Sequence, residues 1–139
     1  MASKAQMIWA NFAVKDLART AKFYNALGFT PNGEPTETLA SFLFGEKDFV
    51  IHFFVASALE EAIGTELTDT ALSNEIIFTI SASGRAEVDE WAEKVREAGG
   101  AIFSEPAEFN PTKIKGTFYG CGFTDPDGHR FNVLDTSGM

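Results

Sequence analysis

One feature restricts this chain more than any other: its hydrophobic period changes twice, in the same order each time. From Met7 to Val14 the residues alternate, with Ile8, Ala10, Phe12 and Val14 on one side and Trp9, Asn11 and Ala13 on the other. That is the period of a strand. Asp16 then reads as an N-cap, and Leu17, Ala21 and Tyr24 follow at helical spacing with Phe23 and Leu27. Gly28 is placed to end that helix. Strand patterns return over Thr38 to Phe44 and Phe49 to Val55, across the turn Gly45-Glu46-Lys47-Asp48, with one further short strand around Thr30 to Glu34.

The same order then repeats. Glu75 to Ser81 alternates, with Ile76, Phe78 and Ile80 on one face. Arg85 to Ala98 carries a helical stripe of Val88, Trp91, Ala92, Val95 and Ala98, closed by Gly99-Gly100. A short strand over Ala101 to Ser104, another over Thr117 to Thr124, the turn Asp125-Pro126-Asp127-Gly128 and a last strand over Arg130 to Asp135 complete it. The plan is strand-helix-strand-strand-strand, written twice. Laid on each other at an offset of 66, the first strands put Phe78 under Phe12 and Glu75 under Trp9. This predicts an α+β fold of two tandem βαβββ modules, about 6–56 and 75–136, in one domain, with residues 57–74 as connector and a short helix over Ala58 to Ile63. Each half has one helix to cover one face of its strands. The other faces are expected to curl around a cavity, so the residues opposite the helix-facing set are the candidates for a site.

Composition narrows the partners. The 139 residues carry a net charge of −9, shared almost equally between the halves. An evenly acidic surface repels phosphate backbones and anionic lipids, so neither nucleic acid nor membrane is an expected partner. Cys121 is the one cysteine, which leaves no disulfide framework within the chain. No apolar run is long enough to span a bilayer, and Met1 to Gln6 lacks the apolar run of a signal peptide, so the cytoplasm is the expected location. No phosphate-cradling glycine loop, Gly-x-Ser-x-Gly elbow or Cys-x-x-Cys pair occurs.

The run from Val14 to Tyr24, its ending Leu27-Gly28-Phe29, the pair Gly99-Gly100 and the segment Phe123-Thr124-Asp125-Pro126-Asp127-Gly128-His129 resemble the vicinal oxygen chelate superfamily. That superfamily holds glyoxalase I, bleomycin-resistance proteins, fosfomycin-resistance enzymes and extradiol dioxygenases. The resemblance covers nearly the whole chain. It implies a curved, mainly antiparallel sheet around a cleft, and a homodimer in which each cleft can draw on both chains. In its metal-using members, the first and last strands of each module carry the ligands. Here those positions fall on Trp9, His52, Glu75 and Asn132. Trp9 has no metal-binding atom, and Asn132 offers only an amide oxygen. The resemblance therefore implies either no metal or a divalent ion on His52 and Glu75, in swapped order relative to glyoxalase I. The dioxygenase triad of two histidines and a carboxylate is not expected, since His52 and His129 are the only histidines and His129 sits in a turn.

The candidate residues each have two readings. His52, in the apolar strand Phe49 to Phe54, is either a hydrogen-bonded core histidine or a cleft residue. Glu75 is a general base if it is buried beside aromatic rings, and an exposed strand-end carboxylate otherwise. Trp9 and Asn11 share the cleft side of the first strand, as a stacking wall and a hydrogen-bonding group. Tyr119, Cys121 and Phe123 share one side of their strand; if that side is the cleft, Tyr119 supplies a hydroxyl and Cys121 a thiol. The glycines at 116, 120 and 122 leave room for close approach. Asn110 to Gly116 reads as a loop near the cleft mouth with two lysines.

Three functions stay open. The first is a protein that binds a small molecule through Trp9, Asn11, His52, Glu75, Tyr119, Cys121 and Asn132. The second is a lyase or isomerase of a carbonyl compound, of lactoylglutathione lyase type, using Glu75 and His52 with or without a divalent ion. The third is a non-catalytic association role, its cleft packed by some of the 14 phenylalanines.

Overall fold

The computed structural model describes residues 7–109 and 118–138. Among them are three helices and eight strands, in two compact units, Met1–Leu67 and Thr68–Met139. The first unit holds β1 (Trp9–Val14), α1 (Leu17–Ala26), β2 (Thr30–Pro31), β3 (Leu39–Phe44), β4 (Phe49–Val55) and α2 (Ala56–Ile63). The second holds β5 (Ile77–Ala82), α3 (Arg85–Ala98), β6 (Ala101–Phe109), β7 (Phe118–Thr124) and β8 (Arg130–Asp135). Each unit makes its own four-stranded sheet, in the orders β1-β4-β3-β2 and β5-β8-β7-β6. The first and last strands of each unit pair in parallel and the other pairs are antiparallel, so both sheets are mixed and mainly antiparallel.

In the first unit the Asp16 carboxylate accepts the Arg19 N–H at 3.1 Å, which starts α1. Gly28, at φ +90°, takes the left-handed conformation that ends it just beyond the Leu27 cap. The helix buries Thr20, Phe23 and Tyr24. The Tyr24 ring lies 4.6 Å from Phe53 and 5.7 Å from Phe42 and from Phe44, so one residue gathers the aromatic side of β3 and β4. Each large side chain buried this way stabilises the fold by roughly 1.5–3 kcal/mol before the cost of ordering it.

In the second unit α3 starts at Gly84 with no side-chain cap from that residue. Glu87 reaches back instead and accepts from the N–H and the hydroxyl of Ser83, and these bonds hold its carboxyl below the usual range. Val88, Ala92 and Val95 are buried against the sheet. Trp91, Phe123 and Phe131 stack nearly parallel, at centroid separations of 6.5 and 5.1 Å.

The connector is not neutral between the units. α2 starts at Ala56 rather than Ala58 and packs on β4 and β1 of the first unit. Past the division at Leu67, the Thr70 hydroxyl donates to the Asp127 carbonyl at 2.6 Å, and the Asn74 amide donates to the Gly128 carbonyl at 2.8 Å. These bonds tie residues 70–74 to the Asp125–Gly128 turn. Inside that turn Asp125 accepts from the N–H groups of Asp127 and His129 and from the His129 ring at 2.7 Å.

Two expectations are corrected. β6 runs nine residues, not four, because its pairing with β7 continues past two register shifts, after Ile102 and after Ser104, as far as Phe109 opposite Phe118. The repeat offset is also two residues longer. The N-cap positions Asp16 and Gly84 lie 68 apart, and the pairs Asn11–His52 and Thr79–Asn132 sit at matching places in the two sheets. Ile77, not Glu75, therefore corresponds to Trp9. An even slip preserves the side of every residue, which is why alternation alone did not reveal it.

Candidate functional site: the sheet faces away from the helices

Alternation assigns each strand residue a side, and burial identifies the helix side. In the first unit Val14, Ala40, Phe42, Ile51 and Phe53 are buried. The opposite face presents Trp9, Asn11, Ser41, His52 and Phe54. Asn11 pairs with His52 in the parallel ladder, and Ser41 pairs with it in the antiparallel one. The His52 Nδ1 lies 2.9 Å from the Ser41 hydroxyl, which also accepts from the Asn32 amide at 3.0 Å. Trp9 and Phe54 flank the imidazole edge-on, with centroids 6.1 and 5.9 Å away. His52 is thus a half-buried residue of the open face, oriented by a neutral hydrogen-bond chain.

In the second unit the open face forms a pocket of about 360 Å³. Phe103, Phe109 and Phe118 wall it, Leu134 adds an aliphatic surface, and Thr79 and Asn132 bring polar groups. Glycine makes the walls possible. A Cβ on Gly122 would stand 2.3–3.0 Å from three atoms of the Phe103 ring, and one on Gly120 would stand 3.2 Å from the Phe109 ring. The rings therefore lie where side chains of β7 would otherwise project. The bulges of β6 re-aim Phe103 and Ser104 onto this face. Phe103 and Phe109 were not among the sequence candidates. The alternating glycines at 120 and 122 were the available signal, and what approaches them closely is an aromatic ring.

Tyr119 and Cys121 are placed differently from the expectation that their side lines a cleft. Both side chains turn to α3. The Tyr119 hydroxyl donates to Asp89 at 2.6 Å, and that bond makes it a weaker acid, with its pKa above the usual phenol value. The Cys121 sulfur lies 3.9 Å from the Val88 carbonyl, and burial pushes its thiol up to about 11. Cys121 borders the pocket only through its strand, and a buried neutral thiol is a poor nucleophile.

Glu75 lies just outside the strand expected to begin with it. It lies in a bend before β5 and is exposed, so it lacks the burial beside aromatic rings that would suit a general base. It belongs to the second unit and His52 to the first. His129, expected at an edge, is buried and bonded into its turn. The segment Asn110 to Gly116 lies outside the described residues.

The donor set does not fit the divalent metal that the resemblance associates with these strands. The first unit offers one imidazole nitrogen, with Trp9 where a ligand would stand. The second offers the amide of Asn132 and the hydroxyl of Thr79, since Ile77 holds the position assigned to Glu75. Among the described residues no three His, Cys, Asp or Glu side chains come together as a metal-holding group. Three strong protein ligands are the usual need of a catalytic transition-metal site.

Comparisons agree with this architecture. The family model Glyoxalase/Bleomycin resistance protein/Dioxygenase superfamily matches residues 6–133. No curated protein matches the chain. Among solved structures, hypothetical protein SA1046 from S. aureus is 33% identical, at a TM-score of 0.79 over 96% of this chain and 95% of that one. A glyoxalase-related enzyme from Fulvimarina pelagi is 19% identical, with TM-score 0.78 over 95% and 89%. A glyoxalase/bleomycin resistance protein/dioxygenase family enzyme from Burkholderia phytofirmans PsJN is 17% identical, with TM-score 0.72 over 91% and 95%. Two βαβββ units, each presenting an open sheet face, and a family match spanning nearly all of the sequence place this chain in the Glyoxalase/Bleomycin resistance protein/Dioxygenase superfamily.

Proposed function

We propose that this protein binds a small organic molecule with a flat, apolar body, as a homodimer, and that it does so without a four-ligand metal site. The observation that carries the reading is the aromatic pocket on the open face of the second unit. Its volume of about 360 Å³ suits a ligand of one or two rings. Its three phenylalanines supply stacking and edge contacts, and Asn132 and Thr79 supply a few directional hydrogen bonds. On the first unit, the oriented His52 beside Trp9 is a second place where a flat molecule finds both a ring and a polar atom. A lyase or isomerase reading has less behind it. It needs a base and a charge-stabilising group together, and the exposed position of Glu75 supports neither.

The test is ligand-observed NMR with a set of planar aromatic compounds, in buffer containing a strong chelator, paired with elemental mass spectrometry of the same sample. Saturable binding under chelation is expected. It should weaken about tenfold or more in Gly122→Ala, whose added methyl displaces the Phe103 ring. Binding that appears only when a divalent ion is supplied, at one ion per chain and lost in His52→Ala, would overturn the reading in favour of metal-assisted chemistry.

A further inference from the structure

We infer that Arg130 makes the second unit's pocket selective for an anion, so that the bound molecule carries a carboxylate beside its aromatic body. This rests on the small-molecule reading above and adds the ligand's charge to it.

Three observations meet at this residue. On β8, Phe131 and Val133 are buried toward α3, which puts Arg130, Asn132 and Leu134 on the open face. Asn132 and Leu134 line the pocket. The Arg130 guanidinium lies over the Phe103 ring, 4.6 Å from its centroid, while the same ring covers Gly122. Phe103 thus meets both the Gly122 backbone and the Arg130 guanidinium, which sets the cation beside a wall of the pocket. Stacking occupies one face of a guanidinium and leaves its N–H edge directed outward.

The third observation is what this arginine lacks. Arg85 pairs with Glu108 at 2.6 Å, and Arg96 pairs with Glu93 and Glu105. Arg130 has no carboxylate or hydrogen-bond partner for its side chain among the described residues, in a chain with twenty acidic residues. Its stacked, pre-ordered N–H fork is complementary to a planar carboxylate, which it can hold through two parallel hydrogen bonds.

The rest of the pocket limits where an anion can go. Among the described residues, the one charged residue lining it is Glu105, and that carboxylate is already paired with Arg96. The other described lining residues are uncharged, with Thr79, Ser104 and Asn132 the polar ones, so the anionic group sits toward Arg130 and the ring lies against the phenylalanines. Arg130 and Asn132 are two residues apart on one strand face, roughly 6.5–7 Å. A carboxylate on Arg130 therefore leaves the far side of the first ring within reach of Asn132. The chain's net charge of −9 disfavours multiply charged phosphates over a single carboxylate.

The experiment titrates three probes of one shape into the full-length protein by calorimetry: 2-naphthoate, 2-naphthamide and 2-naphthylmethylammonium. Wild type is expected to bind the acid about tenfold or more tighter than the amide. Arg130→Gln should abolish that preference, so that acid and amide bind alike, and Arg130→Lys should keep part of it. The Arg130 Nε–H resonance should shift on adding acid and not amide. Acid and amide binding equally, or a preference that survives Arg130→Gln, would overturn this inference and leave the pocket reading standing. Tightest binding of the ammonium probe would do the same. No binding of any of the three to wild type would overturn both.

Discussion

Cys121 shows how one residue's role depends on which side of its strand is covered. Its thiol faces α3, is almost fully buried, and is pushed up to about 11. An acid whose pKa is raised by folding contributes stability below its unfolded pKa, and that contribution is lost as pH climbs through the folded one. Stability to urea should therefore fall between about pH 9 and pH 11, and Cys121→Ala should flatten that part of the profile. Native protein at pH 8 should resist iodoacetamide for hours and react once unfolded. Fast alkylation of the native thiol would place Cys121 on an accessible surface after all. His52 is the complementary case, a polar residue in an apolar strand that reaches the open face and meets Ser41 there. Its sequence allowed a core role and a cleft role equally, because the strand pattern does not say which side the helix takes.

Turns and bulges, at the scale of elements, place the site. The Asp125–Gly128 turn fixes the entry to β8, and with it Arg130 and Asn132. Gly128 has φ +94°, and a Cβ there would stand 2.4 Å from the Thr70 carbonyl oxygen. Gly128→Ala should cost about 1–2 kcal/mol from the left-handed backbone alone, with the backbone clash added. The expected result is a clearly lowered midpoint in chemical unfolding; an unfolding free energy within about 0.5 kcal/mol of wild type, as for a neutral surface change, would contradict it. The helices were legible because their caps are local: Asp16, Gly28 and Gly99 act on residues within one turn. Strand ends were less so. The start of β5 and the length of β6 depend on partners that sit dozens of residues away, and no local preference records a two-residue slip or a bulge.

For the molecule as a whole, the two βαβββ units and their family were readable from a repeated order of periods and a few turn motifs, and the family model and the solved structures agree with that reading. Apolar side chains stand exposed near the start of both edge strands β1 and β5, among them Ile8, Trp9, Ile76 and Ile77. Edge strands left apolar invite a partner. Light scattering at micromolar concentration should therefore give about twice the 15.1 kDa chain mass, and a mass of one chain at all concentrations would rule out the dimer.

The sequence by itself determined the alternation that divides each strand into two sides, the caps that bound the helices, and the residue types at the metal positions. Those properties are carried by neighbours along the chain, so they survive without a structure. Only the tertiary structure decided which side each helix covers, and that turned Tyr119 and Cys121 inward and left His52 outward. It also decided the register that removes Glu75 from β5, and the bulges that lay Phe103 and Phe109 over glycines. Register and side are set by packing between distant segments, where an even slip changes every partner and leaves the pattern of apolar residues untouched.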